Sequence, residues 1–372
     1  MELAFLNPLF DRPGPWASVY VDTSRHSEST PDERSLDALS AFRNLTAQGA
    51  DEPTCQTVYS ALEELRHSPQ PVGRALFATG GEVVLDPPLS RPPDASPLVH
   101  WGTLPHVAPL LRLADPAPVC LVAYVDRRGA DFEVRGAHGA RPAGGVAGRQ
   151  WPVHKASTAD WSERHFQAKV ENTWEHNAAE IAGALVACAE ETRADLIVLV
   201  GGARERRAVH DRLLPQLQTR TIESEHGGRA DGADAGGRLL DDEVAGARAE
   251  HARREVEREV AAFLAGREQA EGRAAAEGVP ALVEAAREHR IAELLLAPGG
   301  ADARRSVWVG REPDQVAVRR ADARVLGADA PGEARADDAL LRAAAASGAG
   351  ALAVEDASGV PEGGLGALLR WA

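Results

Sequence analysis

The spacing of hydrophobic and polar residues predicts a chain of short strands and amphipathic helices. In the first third, the alternating residues 17–21 predict a strand, and residues 31–48 and 54–67 predict two helices. Gly80-Gly81, between two apolar runs, predicts a β-hairpin because a two-glycine turn matches the twist of paired strands. The proline-rich run 87–97 predicts a break in regular structure.

The middle third carries the strongest helical pattern of the chain. Apolar residues recur mostly every three or four positions from Trp161 to Cys188, which predicts one long helix over about 160–191 with Asp160 as its N-cap. The same pattern favours core packing over base stacking for Trp161 and Trp174. The other elements predicted here are strands over 119–126, 131–136 and 195–200, a helix near 203–214, and irregular loops over 137–158 and 223–238.

The last third resumes the alternation of helices and strands after a second long, charged helix. The elements predicted here are helices over 239–277, 280–289 and 334–346, strands over 291–297, 307–309 and 349–354, and an apolar terminal segment over 365–371. Strands that alternate with helices are typical of the α/β class. We therefore expect three α/β domains, with boundaries at the proline-rich or glycine-rich junctions near residues 115 and 278: residues 1–115, 116–278 and 279–372.

The composition is that of a folded protein, with 44% hydrophobic and 26% charged residues among 372. No apolar run approaches the roughly 20 residues of a membrane span, and the first residues lack the features of a secretory signal. The three cysteines lie far apart and fit neither a disulfide framework nor a metal-binding pair. These observations predict a cytoplasmic protein with reduced thiols and no membrane partner.

The distribution of charge narrows the possible partners. The formal net charge is −15, which excludes promiscuous binding to nucleic acids and argues against DNA as a partner. Residues 121–212 are the exception, because they carry 13 basic and 13 acidic side chains and include both lysines, Lys155 and Lys169. An RNA partner would therefore have to meet a locally neutral or basic surface in this segment.

Several segments resemble the archaeal and eukaryotic class-one release factor family, which includes Pelota. The run DLIVLVGGARERRAVHDRLLPQL at 195–217 resembles a strand and helix of that family's middle domain. Residues 281–297 and 364–372 resemble the first and last elements of its C-terminal domain, an α/β/α sandwich like that of kink-turn-binding ribosomal proteins. The segment WPVHKASTADWSERHFQAKVENTWEHNA at 151–178 resembles the bacterial branch, which includes ribosome hibernation factors of the Balon type.

This resemblance implies a factor that binds the A site of the 70S ribosome and protects the peptidyl-transferase centre during stress or stationary phase. Its partners would be ribosomal RNA near these sites and, as an open alternative, elongation factor Tu. Arg204, Arg206 and Arg207 form a basic cluster at a predicted helix start, where positive charge is unfavourable without an anionic partner. The RNA-binding or ribosome-binding candidates are His154, Lys155, Ser157, Thr158, Asp160, Trp161, Arg164, Arg204, Arg206 and Arg207.

The residues that catalysis would need are missing from the sequence. Release factors hydrolyse peptidyl-tRNA with a Gly-Gly-Gln tip, whereas Gly144-Gly145 is followed here by Val146. The sequence also lacks the common metal, nucleophile and nucleotide-binding motifs. We therefore expect no enzyme activity, no metal and no cofactor. The alternatives are a peptidyl-tRNA hydrolase or tRNA nuclease acting on stalled ribosomes, and an adaptor that binds protein through its acidic N-terminal domain.

Two adjacent arginine pairs in the last third are further candidates for contact with an anionic partner. They are Arg304-Arg305 and Arg319-Arg320. Adjacent arginines are common in proteins, so solvent exposure without a partner is the competing interpretation.

Overall fold

The computed structural model of the chain describes residues 3–23, 31–65, 72–114, 118–136, 139–147, 162–229, 237–268, 274–355 and 361–371. The chain divides into two units, one made of residues 1–116 with 255–372 and one made of residues 117–254. We call them the terminal unit and the middle unit. The predicted domain boundaries at 115 and 278 stay predictions.

The helices and strands alternate along the chain as α/β proteins require. The helices are α1 (Asn7–Phe10), α2 (Pro31–Ala47), α3 (Glu52–Glu64), α4 (Leu110–Leu113), α5 (Ser162–Thr192), α6 (Ala203–His210), α7 (Pro215–Gln218), α8 (Gly237–Glu268), α9 (Val279–Arg287), α10 (Arg320–Val325) and α11 (Ala336–Ala346). The strands are β1 (Trp16–Asp22), β2 (Gly73–Thr79), β3 (Glu82–Leu85), β4 (Pro88–Leu89), β5 (Leu98–Gly102), β6 (Cys120–Asp126), β7 (Gly129–Gly136), β8 (Gly139–Ala147), β9 (Leu196–Gly201), β10 (Thr221–Ser224), β11 (Ala275–Glu277), β12 (Ile291–Leu296), β13 (Ser306–Val309), β14 (Val316–Ala317), β15 (Gly332–Arg335), β16 (Gly350–Ala353) and β17 (Leu365–Leu369). The mixed α/β class is confirmed.

A five-stranded sheet with the order β10-β9-β6-β7-β8 forms the centre of the middle unit. Strands β6, β9 and β10 are parallel, and β7 and β8 continue the sheet in antiparallel fashion. Side chains of β6 alternate between the two faces: Leu121 and Ala123 pack in one apolar cluster with α5, whereas Val122 packs in another with Leu240 and Val244 of α8. Helices cover both faces, so the central strands are almost wholly apolar.

The long helix α5 is confirmed, together with the apolar stripe that predicted it. Trp174, Ala178, Ile181 and Leu185 are buried against the sheet. Trp174 therefore serves the core, as the core-packing interpretation predicted. Trp161 lies outside the described residues. Of the described helices, none combines the length and the apolar character that a membrane span requires.

The terminal unit contains three sheets. The first has the order β3-β2-β1-β5, with β4 paired to β2, and α2 and α3 share an apolar cluster with its strands. The second sheet has the order β11-β17-β12-β16, and the third is the small sheet β14-β13-β15. One apolar core holds the two chain segments of this unit together, because Tyr20 and Phe77 belong to the same cluster as Leu294 and Leu340.

A buried group of ionisable side chains also joins the two segments of the terminal unit. The carboxylate of Asp338, in the first turn of α11, accepts hydrogen bonds from Nδ1 of His106 at 2.9 Å and from the backbone N–H of Val107 at 2.9 Å. The guanidinium of Arg335 donates from Nε to the carboxylate of Asp337 at 3.0 Å. Buried charges are tolerated only when they are paired in this way.

Several predicted elements were wrong in extent or type. Residues 139–147 of the predicted loop 137–158 form β8, an exposed edge strand in which three glycines and one proline hide the alternation of a strand. The proline-rich run 87–97, predicted as a break, contains the short strand β4, whose Leu89 pairs with Gly73 of β2. Helix α3 begins at Glu52 because Asp51 caps it by accepting from the N–H of Thr54 at 2.9 Å. Helix α8 ends at Glu268 rather than near 277, where the chain forms β11.

The pKa values of the buried side chains around Asp338 predict an unusual dependence of stability on pH. Burial opposes protonation of His106, but the charge and hydrogen bond of Asp338 outweigh it and raise the pKa of His106 above 6.5. Burial and the charge of Asp338 raise the pKa of Asp337 to about 6 against the effect of Arg335. Burial and the neighbouring His106 lower the pKa of His100 to about 4.

We expect the free energy of unfolding to be highest in weakly acidic solution and to fall as the pH rises to 8. Raised pKa values mean that the folded chain binds protons more tightly, so the contribution of Asp337 is lost through about pH 6 and that of His106 above 6.5. His100 has the opposite effect below pH 6.5. Urea unfolding between pH 5 and 8 measures the profile. His106→Gln should flatten the decline above pH 6.5, and an unchanged slope in this variant would contradict the assignment.

Candidate functional site

The carboxyl ends of β6 and β9 lie side by side at one edge of the middle sheet. The two strands are parallel, and Val125 pairs with Gly201 at their ends. Side chains that follow such strand ends converge at the same edge, where open α/β sheets place their binding sites. The segment after β6 carries Arg127 and Arg128, and the segment after β9 leads into α6. We call this place the arginine edge.

Gly201 sets the direction in which the chain leaves β9. Its φ of 144° lies outside the range that side chains favour, and a Cβ atom there would lie 2.2 Å from the carbonyl oxygen of Val125. Only glycine fits this close approach of two backbones. Helix α6 therefore starts directly at the edge, and Arg127 donates from Nε to Oε1 of Glu205 at 2.9 Å. This hydrogen bond lowers the pKa of Glu205.

The three arginines of the predicted cluster have different environments. The side chain of Arg207 is 76% exposed and lies 3.9 Å from the carboxylate of Asp211, and Arg204 is also exposed. Arg206 is only 5% exposed; its Nη1 donates to the carbonyl oxygen of Gly201 at 2.5 Å and its Nε to Glu223 at 3.2 Å. The prediction that Arg206 faces a partner is therefore wrong. Its guanidinium stabilises the turn after β9 by these two hydrogen bonds.

Three arginines of this region were missed by the sequence interpretation. The side chain of Arg127 is 68% exposed, Arg128 is exposed, and Arg229 donates to Asp126 at 3.0 Å and to Asp131 at 2.8 Å. The signal for the first two was present, since both lie in the turn between two predicted strands. Their proximity to α6 depended on the parallel pairing of β6 with β9, which no local pattern encodes.

The middle of α5 contacts the same edge. The side chain amide of Asn177 donates to the carbonyl oxygen of Arg127 at 3.1 Å, which fixes this point of the helix beside the turn after β6. The first residue of the helix, Ser162, lies fifteen residues before Asn177, which corresponds to about 22 Å along the helix axis at 1.5 Å per residue. The segment 148–161 that precedes the helix is therefore connected to the arginine edge through α5.

Most of the predicted site residues lie in that preceding segment and remain predictions. Those outside the described residues are His154, Lys155, Ser157, Thr158, Asp160 and Trp161. Arg164 belongs to the backbone of α5, and its side chain is not among the described ones. Helix α6, which carries Arg204 and Arg207, thus contacts the turn that carries Arg127 and Arg128 through the hydrogen bond between Arg127 and Glu205.

Among the described residues, one group has the residue types that a metal ion needs: His106, Asp337 and Asp338, whose ligand atoms lie within 4.8 Å of one another. The hydrogen bonds described above already occupy these atoms, and the guanidinium of Arg335 supplies a positive charge to the carboxylates. These contacts connect the segment around His106 with α11 inside the terminal unit.

Comparison with known proteins shows which family the middle unit resembles. Residues 119–269 match the model of the family described as bacterial archaeo-eukaryotic release factor family 2. The matched segment contains the five-stranded sheet, the arginine edge and all of α5 and α8. The resemblance to the bacterial branch of the release factor superfamily is therefore confirmed, whereas the Balon subtype stays a prediction.

Two relatives extend the similarity along the chain. The proteins named uncharacterized protein Rv2629 and uncharacterized protein MT2704, from two strains of Mycobacterium tuberculosis, are each 29% identical over 364 residues, which is 96% of this chain and 94% of theirs. The archaeal termination factor aRF1 is 15% identical, with 99% of this chain and 97% of that chain covered and a TM-score of 0.26. Pelota in a model of ribosome-bound archaeal Pelota and ABCE1 is 13% identical, with 99% and 94% covered and a TM-score of 0.41. Such TM-scores support no further argument.

The different environments of Arg206 and Arg207 predict different effects of substitution. Arg206→Ala should lower the free energy of unfolding by about 2–3 kcal/mol, because it leaves the partly buried carbonyl oxygen of Gly201 and the carboxylate of Glu223 without their donor. Arg207→Ala should change it by less than about 0.5 kcal/mol. Urea denaturation of both variants makes the comparison, and equal losses would contradict the buried role of Arg206.

Proposed function

We propose that the chain is a ribosome-associated factor that occupies the A site of the bacterial 70S ribosome without hydrolysing peptidyl-tRNA. In this proposal it protects the peptidyl-transferase centre during stress or stationary phase, as hibernation factors do. The observation that carries the proposal is the match of residues 119–269 to a release factor family. The arginine edge and the segment 148–161 supply the contacts.

The electrostatics of the middle unit support this proposal. At the arginine edge, Glu205 is neutralised by Arg127, and the carboxylates of Asp126 and Asp131 are paired with Arg229. Pairing reduces the negative charge that would repel phosphate, while the side chains of Arg127 and Arg207 stay 68% and 76% exposed at the edge. Arginine forms bidentate hydrogen bonds with phosphate, so a few such groups can position a protein on RNA.

The segment before α5 would make the deepest contact. His154 and Lys155 lie seven or eight residues before the helix begins at Ser162. The resemblance to the bacterial branch assigns this junction to the peptidyl-transferase centre, where a lysine ammonium can approach ribosomal RNA phosphate. Elongation factor Tu enters the proposal as a partner in delivery, and binding is to be measured with and without it.

The position of the glycine pair Gly144-Gly145 supports a role without hydrolysis. Both glycines lie in β8, where Gly145 pairs with Asp131 and the following Val146 pairs with Ala130 of β7. A hydrolytic tip requires its glycines and glutamine in a loop that reaches the substrate. Here the glycine pair is committed to a sheet, and the next residue is valine.

We expect Lys155→Glu to weaken binding to purified 70S ribosomes by at least about tenfold at 100 mM KCl, because the change places a carboxylate against phosphate. The thermal midpoint should not change. The matched control is Arg258→Glu, which reverses an exposed arginine that is paired with Glu255 and Glu259 on α8. Co-sedimentation through sucrose measures the affinities, and equal binding by Lys155→Glu and the parent protein would remove this segment from the proposal.

We further expect no turnover when the protein is incubated with peptidyl-tRNA on stalled ribosomes. The readout is release of labelled peptide and the integrity of the tRNA on a gel. A variant that lacks residues 148–161 is the control. Turnover by the parent protein above the level of this deletion variant would favour the hydrolase or nuclease alternative.

A further inference from the structure

Residues 303–325 have a charge balance opposite to that of the whole chain. They contain six arginines and three acidic residues, whereas the complete chain has a formal net charge of −15. The segment includes the arginine pairs at 304–305 and 319–320, which the function proposed above does not use. In the structure it forms β13, β14 and α10 of the small sheet in the terminal unit.

The packing of the small sheet places an aromatic ring beside these arginines. Ala317 of β14 pairs with Trp308 of β13, and Trp308 packs at the edge of a small apolar cluster that includes Ala323 of α10. The chain then turns at Arg319 into α10, and the guanidinium carbon of Arg320 lies 5.1 Å from the centre of the Trp308 ring. This distance is that of a cation–π contact, which holds a guanidinium in place while its N–H groups remain available.

The charges of α10 are separated by the geometry of the helix. Arg320 and Arg324 are four residues apart and share one face. Asp322 is two residues, or about 200° around the helix, from both Arg320 and Arg324. It lines a groove of about 390 Å³ together with Leu326 and Asp314. The carboxylates of Asp314 and Asp322 therefore face the groove, away from Arg320 and Arg324.

The arginines of this face also lack acidic partners. Arg319, Arg320 and Arg324 are exposed, and no carboxylate in the described part of the chain lies within ion-pairing distance of them. Two exposed arginines of α8 differ in this respect: Arg254 pairs with Glu250 at 2.7 Å, and Arg258 pairs with Glu255 at 3.1 Å. Three exposed guanidinium groups, one of which lies over an indole ring, form a surface suited to an anionic partner with planar bases.

We infer that Arg319, Arg320, Arg324 and Trp308 form a contact surface for ribosomal RNA, separate from the arginine edge. The arginines bind backbone phosphates, and the indole edge and stacked guanidinium offer a planar surface to an unpaired base. The inference rests on the proposed ribosome association and extends it to the terminal unit. The groove that contains Asp314 and Asp322 restricts RNA to the opposite face of α10.

The test compares two triple variants of the full-length protein. R319A/R320A/R324A removes the proposed contacts, and R253A/R254A/R258A removes three exposed arginines of α8 that have acidic partners. Binding to 70S ribosomes is measured between 50 and 200 mM KCl. The first variant should bind about tenfold more weakly at 100 mM, and the slope of log affinity against log salt should fall by about two, since each phosphate contact contributes roughly 0.7–0.9. The control should stay within about twofold.

A second measurement separates this inference from the function on which it rests. A fluorescein-labelled 20-nucleotide poly(U) RNA is titrated with the parent protein and both triple variants at 50 mM KCl. Weaker binding by R319A/R320A/R324A alone supports the surface even if the parent protein fails to bind ribosomes, a result that would refute only the proposed function. Binding by this variant equal to that of the parent on both probes overturns the inference, as does preference of the parent for polyglutamate over RNA.

Discussion

Electrostatic repulsion between carboxylates and phosphates limits which surfaces of this molecule can contact RNA. The chain carries a formal net charge of −15, so its average surface repels a polyanion. The structure separates or pairs its charges where contact is proposed. Arg229 neutralises Asp126 and Asp131 at the arginine edge, and α10 presents arginines and carboxylates on different faces. Local arrangement, rather than net charge, then determines which surfaces can approach RNA.

The packed core and its buried polar side chains fix the positions of the exposed arginines. Helices on both faces of the middle sheet fix the ends of β6 and β9, and the absence of a side chain at Gly201 allows α6 to begin at the edge. The buried guanidinium of Arg206 holds the same turn by its hydrogen bond to Gly201. In the terminal unit, Asp338 plays the corresponding role by binding the loop at His106. The exposed arginines are therefore held by ordered backbone, and binding a partner does not require the conformational entropy loss of ordering a flexible loop.

Local pattern predicted the elements well and their partners poorly. The stripe that ends at Cys188 predicted α5, and the apolar run at 195–200 predicted β9, because each pattern reflects burial on a defined face. β8 was missed since an exposed, glycine-rich edge strand has no apolar alternation. The burial of Arg206 and the pairing of His106 with Asp338, 232 residues away, depend on tertiary contacts that sequence spacing does not encode. The family resemblance was confirmed because it rested on long runs of the middle segment rather than on single residues.

Docking of the middle unit in the ribosomal A site is the central claim, and a cryo-EM map of 70S ribosomes incubated with the protein tests it most directly. The account predicts density for the five-stranded sheet in the A site, with the N-terminal end of α5 directed towards the peptidyl-transferase centre and the arginine edge against ribosomal RNA. Density for the protein at another ribosomal site, or an A site that stays empty at saturating protein, would contradict it.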